Sequence, residues 1–126
     1  MRWKKILVSV AAAWTWCVAA VAAPPTDGHA VIVHFRYGST NLDALSKAES
    51  QLAAAIEAAG VGQLDGYDVA VDGSNGRFYL YGPDADRLLR AVEPVLARFE
   101  FAKGATVLRR YGPPEKGVRT VETKLP

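Results

Sequence analysis

The sequence is poor in the residues that small domains use for covalent cross-linking and for metal or thiol chemistry. Its 126 residues include one cysteine, one methionine, two histidines and three tryptophans. The cysteine, the methionine and all three tryptophans lie within the first 17 positions. A single cysteine excludes an intrachain disulfide, and two histidines without a partner at ligand spacing exclude the common zinc motifs. A domain formed by the rest of the chain must therefore be held together by burial of apolar side chains.

The first 22 residues have the three parts of a secretory signal. A basic start is followed by a nearly unbroken apolar run over residues 6–21, and the small residues Ala20 and Ala22 mark a cleavage site. Cleavage after Ala22 is favoured over cleavage after Ala23, because a cut after Ala23 would place Pro24 directly behind the scissile bond. We predict a signal peptide over residues 1–22 and a periplasmic or secreted mature protein. The alternative is an uncleaved membrane anchor, since the run approaches the roughly 18 to 20 residues of a spanning helix.

Loss of this segment changes the charge balance. The whole chain has a formal net charge of +2, but three of its fifteen basic residues lie in the predicted signal. The remainder therefore carries 12 basic against 13 acidic residues, a net of −1. A basic surplus is the electrostatic footprint of nucleic-acid-binding proteins, and the mature chain lacks it. We expect no nucleic-acid partner.

The rest of the chain is predicted to form one domain. Residues 23–28 form a proline-containing flexible lead, and residues 29–126 a single α+β domain. Helical spacing of apolar residues predicts one helix from a Thr40 cap to a Gly60 stop, and another that begins at Asp84 and is kinked or broken near Pro94. Alternation of apolar and polar residues predicts strands over residues 29–37, 67–72, 77–81 and 105–111, with an optional edge strand over 118–125.

The order of these elements predicts the topology. The Asn75-Gly76 pair predicts a two-residue hairpin turn, because both central residues of a type I′ turn need a positive φ. The order β-α-β-β-α-β is typical of the ferredoxin-like fold, an antiparallel sheet in the order 4-1-3-2 with both helices on one face. Leu42 and Val71 are expected on the core side, Val71 opposite Leu80.

The face of the sheet without helices carries the candidate binding residues. Tyrosine, arginine and histidine on a central patch have the composition of binding hot spots. The alternative is that the tyrosine rings only shield the backbone of an uncovered sheet, with the charged residues as ordinary cross-strand neighbours. Strand parity and the Asn75-Gly76 register assign to this face His34, Arg36, Asp72, Arg77, Tyr79 and Tyr81.

Two aromatic residues on a third strand are also the position at which RNA-recognition modules stack bases. The third-strand motif of that family has a glycine between its basic and aromatic residues. The segment from Arg77 to Tyr81 lacks that glycine. Together with the charge balance, this argues against RNA binding.

Signals for catalysis or metal binding are weak. His29 falls near the flexible lead and His34 on the open face, without further ligands at metal-binding spacing. Residues 72–76 resemble the start of a calcium loop but lack its later carboxylates and bidentate glutamate. No nucleophile elbow and no phosphate-binding Gly-Lys loop is present. We therefore expect no metal and no cofactor, and an enzyme is the less favoured class.

Two sequence blocks resemble those of small uncharacterised bacterial proteins. The blocks are FYLYGPDAD at residues 78–86 and LRRYGPP at residues 108–114, and the same proteins share Gly-Val-Gly at residues 60–62 and Asp-Gly at 65–66. The resemblance covers most of the mature chain. It implies a shared fold and a bacterial origin, and no activity or site residue.

Two functional hypotheses follow. The first is an extracytoplasmic, non-enzymatic binding module that engages a protein or forms a homodimer through the open sheet face or a sheet edge. The second is a small-molecule sensor or enzyme with a pocket between sheet and helices or at a dimer seam. Apart from the signal or anchor segment, neither hypothesis includes a membrane contact.

Overall fold

The computed structural model describes residues 28–126. The predicted signal peptide, its cleavage site at Ala20 and Ala22, and all but the last residue of the predicted lead lie outside the described residues. Within residues 28–126, no helix has the length and apolar character needed to cross a membrane. The elements are the strands β1 His29–Arg36, β2 Gln63–Val69, β3 Asn75–Gly82, β4 Thr106–Arg110 and β5 Thr120–Lys124, the helices α1 Asp43–Ala59 and α2 Ala85–Leu96, and a 3-10 helix Glu100–Ala102.

The five strands form one antiparallel sheet in the order β2-β3-β1-β4-β5. This confirms the α+β class with an antiparallel sheet and two helices. The order differs from the predicted four-strand order because β5 pairs along its whole length outside β4. The chain segment that was predicted as an optional strand is therefore a full member of the sheet. β1 lies at the centre, between β3 and β4.

One face of the sheet is covered by α1 and α2, and the core lies between them. Alternate residues of the central strands point into it, and each fully buried aliphatic or aromatic side chain contributes roughly 1.5 to 3 kcal/mol. Burial on this scale explains how the domain holds together without a disulfide. The largest fully buried side chains are Phe35, Phe78, Leu45, Leu52, Ile56, Leu80, Leu88, Leu96, Val31, Val33, Val92 and Val107.

The start of α1 differs from the prediction. The N-cap is Leu42, which is 39% exposed rather than buried in the core, and Thr40 makes no cap. The side chain of Asn41 takes that role instead, since its Oδ1 accepts a hydrogen bond from the Asp43 amide at 2.9 Å. The end of α1 is as predicted: Gly60 adopts a left-handed conformation with φ of 64°.

The start of α2 agrees with the prediction, whereas its predicted break is absent. Asp84 Oδ1 accepts hydrogen bonds from the Asp86 amide at 3.0 Å and the Arg87 amide at 3.2 Å, as an N-cap does. The chain stays helical through Pro94 and ends two residues later at Leu96. Pro94 has no amide hydrogen to donate to the Arg90 carbonyl, so one backbone bond is missing, yet the helix continues for two residues beyond it.

The hairpin between β2 and β3 turns earlier than the sequence predicts. Asn75 and Gly76 belong to β3, and the chain reverses over residues 70–74, where Gly73 has a φ of 74°. Gly76 is buried, and a Cβ there would press against the ring of Phe35. Gly76 is thus needed for close packing inside the strand, and Gly73 supplies the positive φ of the turn.

The tip of this hairpin is held by the loop that follows β1. The Gly73 carbonyl accepts hydrogen bonds from the amides of Gly38 at 2.6 Å and Ser39 at 3.1 Å. The register moves with the turn, so that Tyr79 pairs with Gly66. Val71, which was predicted to face the core opposite Leu80, is fully exposed in the loop.

Candidate functional site: the open sheet face

The sheet face opposite the helices, here called the open face, carries three rows of side chains that cross the strands. Residues paired directly across antiparallel strands point to the same face, so the register defines each row. Each row is given in the order of the strands from β2 to β5. The charged row consists of Asp68, Arg77, His34, Thr106 and Lys124, and the central row of Gly66, Tyr79, Ile32, Leu108 and Glu122. The third row consists of Gln63, Tyr81, Ala30, Arg110 and Thr120.

The middle of the open face is apolar. Tyr79, Ile32 and Leu108 are neighbours in the central row, and each is half-buried. Ala30 has no exposed surface although α1 and α2 both lie on the other face of the sheet. Its neighbours in the third row are Tyr81 and Arg110. The open face thus has an apolar centre in a frame of charged side chains.

Asp68 organises one side of the open face. Its Oδ2 lies 3.3 Å from Arg77 Nη2 and accepts a hydrogen bond from the Tyr79 hydroxyl at 2.8 Å. The Arg77 guanidinium lies 5.6 Å from the centroid of the Tyr79 ring. The Arg77 and Asp68 side chains are 52% and 50% exposed, so the ion pair contributes at most about 1 kcal/mol. The hydrogen bond from the Tyr79 hydroxyl to Asp68 fixes the orientation of the Tyr79 ring.

The surroundings of Tyr79 on the open face shift the pKa of its phenol. Partial burial of the phenol raises the pKa of Tyr79 above its ordinary value, and the hydrogen bond to Asp68 adds to the rise. The nearby Arg77 acts in the opposite direction. Tyr79 is therefore a neutral hydrogen-bond donor at physiological pH.

Five of the six predicted site residues share the open face. Arg77, Tyr79 and Tyr81 follow each other at alternate positions of β3, and His34 and Arg36 are exposed on β1. Asp72 is the exception. It lies in the hairpin loop, where its Oδ1 accepts a hydrogen bond from the Ser74 amide at 2.9 Å. The earlier turn explains the difference, and Asp68 is the carboxylate that pairs with Arg77 instead.

A second polar cluster lies on the helix side of the sheet, and the sequence-based candidates do not include it. Asp86 Oδ1 accepts hydrogen bonds from Arg109 Nη1 at 2.8 Å and from the Tyr111 hydroxyl at 2.6 Å. Arg109 pairs with the core residue Val31, which puts its side chain on the helix side. An arginine at an inward-facing position of a strand needs a charged partner, and that parity signal could have revealed the cluster.

The neighbours of this cluster connect the first turn of α2 to the sheet. The Arg119 guanidinium lies 4.4 Å from the centroid of the Tyr111 ring, and the His29 ring contacts the same ring edge-on at 5.5 Å. His29 Nδ1 accepts a hydrogen bond from the Ala85 amide at 3.0 Å, so His29 is fixed in β1 and does not belong to a flexible lead. These contacts indicate that the cluster has a structural role.

The hydrogen bonds within this cluster shift the pKa values of Asp86 and Tyr111. The Tyr111 hydroxyl and, next, the Arg109 guanidinium hold the pKa of the Asp86 carboxyl below its usual value. The hydrogen bond to Asp86 in turn raises the pKa of Tyr111. Asp86 therefore stays charged and Tyr111 stays neutral over the physiological range.

The motifs at residues 78–86 and 108–114 meet in this cluster. Asp86 belongs to the first block, and Arg109 and Tyr111 to the second. Gly62, from the Gly-Val-Gly block, passes so close to β3 that a Cβ would overlap the Tyr81 carbonyl oxygen. These motifs thus have a clear role in packing the chain.

Two clefts lie away from the open face. The first, of about 520 Å³, is largely apolar and lies between the end of α2, the 3-10 helix and the C-terminus, where Leu96, Ala102 and Leu125 line it. The second, of about 770 Å³, is a wide groove between α1 and β2. Among residues 28–126, no three His, Cys, Asp or Glu side chains are grouped so that they could hold a metal ion.

No protein-family model, no curated protein and no solved structure matches this chain. The function therefore has to be inferred from the geometry of the open face and of the clefts.

Proposed function

We propose that the protein is a small, exported, non-enzymatic binding module that engages a protein partner through the open face. Export is inferred from the signal-like residues 1–22, which predict a periplasmic or secreted product. The binding residues are Arg77, Tyr79 and Tyr81 of β3 with His34 and Arg36 of β1. Asp68 replaces Asp72 in this set, because Asp68 is the carboxylate that contacts Arg77 and Tyr79.

The observation that carries the proposal is the pattern of side chains on the open face. Protein interfaces combine an apolar core containing aromatic and arginine side chains with a polar rim that excludes water. The row of Tyr79, Ile32 and Leu108 supplies such a core on a sheet surface that neither α1 nor α2 covers. The Asp68 contacts hold Tyr79 in place before a partner arrives, which lowers the ordering cost of binding.

Affinity capture with paired variants tests the binding surface. The bait is the protein as the cell processes it, incubated with an extract of the bacterial envelope. We expect Tyr79→Ala combined with Tyr81→Ala to lose a partner that the wild type retains, while circular dichroism shows the same fold. Val71→Ser is the control, because it removes an exposed apolar side chain outside the open face. Equal capture by wild type and double variant would refute the assignment.

Cell fractionation tests the export part of the proposal independently. The protein is expected in the envelope or medium fraction, and sequencing of its N-terminus is expected to begin at Ala23. A product in the membrane that still begins with residues 1–22 would support the anchor alternative. A cytoplasmic product with an intact N-terminus would contradict export.

The apolar cleft favours a second candidate, a small-molecule sensor or enzyme. Its volume of about 520 Å³ lies within the roughly 300 to 1,000 Å³ of ligand pockets, and its lining is largely apolar. A thermal-shift screen with metabolites and metal ions tests it. A ligand that raises Tm for the wild type but not for Ala97→Trp, which fills the cleft from an exposed position, would support this class.

We further propose that the first four strands and the two helices form a ferredoxin-like core to which β5 is an addition. The support is the contiguous set β2-β3-β1-β4 within the sheet, with β5 outside it. In this architecture the open face is the surface that remains for binding.

A further inference from the structure

We propose that a second copy of this chain occupies the open face, with a two-fold axis that runs along β1 between the two sheets. The inference rests on the proposed function, because it names the partner of the same surface. It predicts a face-to-face homodimer in which each copy contributes the same rows of side chains. Such an isologous interface requires that the surface be complementary to itself.

The position of β1 makes this symmetry possible. A two-fold axis parallel to the central strand turns one sheet over and exchanges left and right, so β3 of one copy faces β4 of the other and β2 faces β5. Positions along the strand direction are unchanged. Each row of the open face therefore faces the same row of the second copy. The usual angle of about −30° between aligned sheets is compatible with this arrangement.

The charged row is self-complementary under this operation. Asp68 lies at its β2 end and Lys124 at its β5 end, and both residues are exposed. The two-fold axis places Asp68 of each copy opposite Lys124 of the other. Two equivalent ion pairs then form at opposite edges of the interface, where they fix register and orientation.

The other two rows bring apolar side chains together at the centre and an aromatic ring opposite a guanidinium beside them. In the central row, Tyr79 of one copy faces Leu108 of the other, and Ile32 lies on the axis opposite its own counterpart. In the third row, Tyr81 faces Arg110, which permits a cation–π contact. The Arg110 Nε is already held by the Gly112 carbonyl at 2.7 Å, so the guanidinium is oriented before association.

The size of the open face predicts a weak dimer. Five strands spaced about 4.8 Å apart, with about five residues of 3.4 Å each, cover roughly 400 Å². Stable interfaces bury about 800 Å² per partner. We therefore expect a dissociation constant between about 10⁻⁵ and 10⁻³ M, with rapid exchange between monomer and dimer.

Like charges on the axis oppose the dimer. Arg36 lies on the open face at the end of β1 and would face its own counterpart, with Asn75 as its partner in register on β3. Neutralising Arg36 should therefore tighten a homodimer. The same change should weaken binding of an acidic partner of any other kind, so the direction of the effect separates the two occupants.

Sedimentation velocity over a concentration series, on protein purified as the cell processes it, tests the proposal with charge-reversal variants. Lys124→Glu and Asp68→Lys alone each create two repulsive contacts and are expected to weaken the dimer at least about tenfold. An equimolar mixture of the two variants is expected to restore association, because each heterodimer contact again joins opposite charges. Thermal unfolding of each variant confirms that it is folded.

The outcomes are decisive in both directions. Rescue in the mixture, together with tighter association of Arg36→Gln, supports the dimer. A monomeric wild type up to about 1 mM, a dimer insensitive to both reversals, or no rescue in the mixture overturns it. If the wild type is monomeric and the Tyr79 and Tyr81 substitutions still abolish capture of a partner, this inference is wrong and the proposed function remains supported.

Discussion

The sheet carries the same three residue types twice, once on each face. On the open face, Arg77 and Tyr79 contact Asp68, and on the helix side, Arg109 and Tyr111 contact an aspartate at the start of α2. In both clusters the arginine and the tyrosine are two residues apart in the chain. The surroundings differ, because Arg109 is 19% exposed at 2.8 Å from its aspartate, whereas Arg77 is 52% exposed at 3.3 Å.

This difference separates a structural cluster from a surface that is available for binding. The helix-side aspartate belongs to a helix, so its contacts fix the position of α2 on the sheet. The open-face aspartate belongs to β2, which already pairs with β3 through backbone hydrogen bonds. Its side-chain contacts therefore join two strands that are held together without them. What the open-face cluster does is orient an arginine and a tyrosine toward solvent.

The largest expected difference between the clusters is in stability. Arg109→Ala should lower the free energy of unfolding by about 2 to 3 kcal/mol, because it removes a charge-assisted hydrogen bond and the partly buried aliphatic part of the arginine. Arg77→Ala, the matched change on the open face, should cost only about 0 to 1 kcal/mol. Urea unfolding measures both. Equal losses would mean that the two clusters have the same role.

The next expected effect is a loss of stability at acidic pH that arises from Asp86 in the helix-side cluster. Because the folded state lowers the pKa of Asp86, its contribution is present above the carboxyl's unfolded pKa of about 4 and is lost as the pH falls through the lower folded value. Tyr111→Phe removes the main cause of that shift. The stability gap between wild type and Tyr111→Phe should therefore be large at pH 7 and narrow toward pH 2, as urea midpoints report. A gap independent of pH would contradict the assignment.

The smallest expected effect concerns the two phenols. The pKa values of Tyr79 and Tyr111 are both raised, so the neutral phenol is favoured in the folded state, and this contribution is lost only as the pH rises through the raised values above about 10. Absorbance titration at alkaline pH should show two late transitions. Tyr79→Phe and Tyr111→Phe should each remove one of them. A variant with both late transitions intact would show that its phenol is not perturbed.

The parity of the strands could be predicted from the sequence because it depends only on local alternation. Val31 and Val33 of β1 and Phe78 and Leu80 of β3 are fully buried, and Tyr79 lies between the last two on the open face, as alternation requires. This is why five of the six site residues were placed on one surface. Side-chain parity survives an error in the turn as long as the strand itself is correctly found.

The register and the identity of the partner of the inward-facing Arg109 could not be predicted in the same way. Asn75 and Gly76 lie inside β3, where a Cβ on Gly76 would meet the Asp68 carbonyl oxygen and the Phe35 ring, two contacts that depend on the neighbouring strands. The pairing of Asp86 with Arg109 joins a helix and a strand 23 residues apart, so it depends on where α2 lies on the sheet. Both features arise from tertiary contacts, on which local sequence patterns carry little information.

Amide chemical shifts, measured by NMR as the protein concentration is raised, test most directly whether the open face is the surface that associates. The proposed homodimer predicts that the amides of Ile32, Tyr79 and Leu108 shift progressively with concentration, while those of α2 on the helix side, such as Asp86 and Leu88, stay constant. Shifts that cluster around Asp86 or the apolar cleft while the open-face amides remain unchanged would contradict the account.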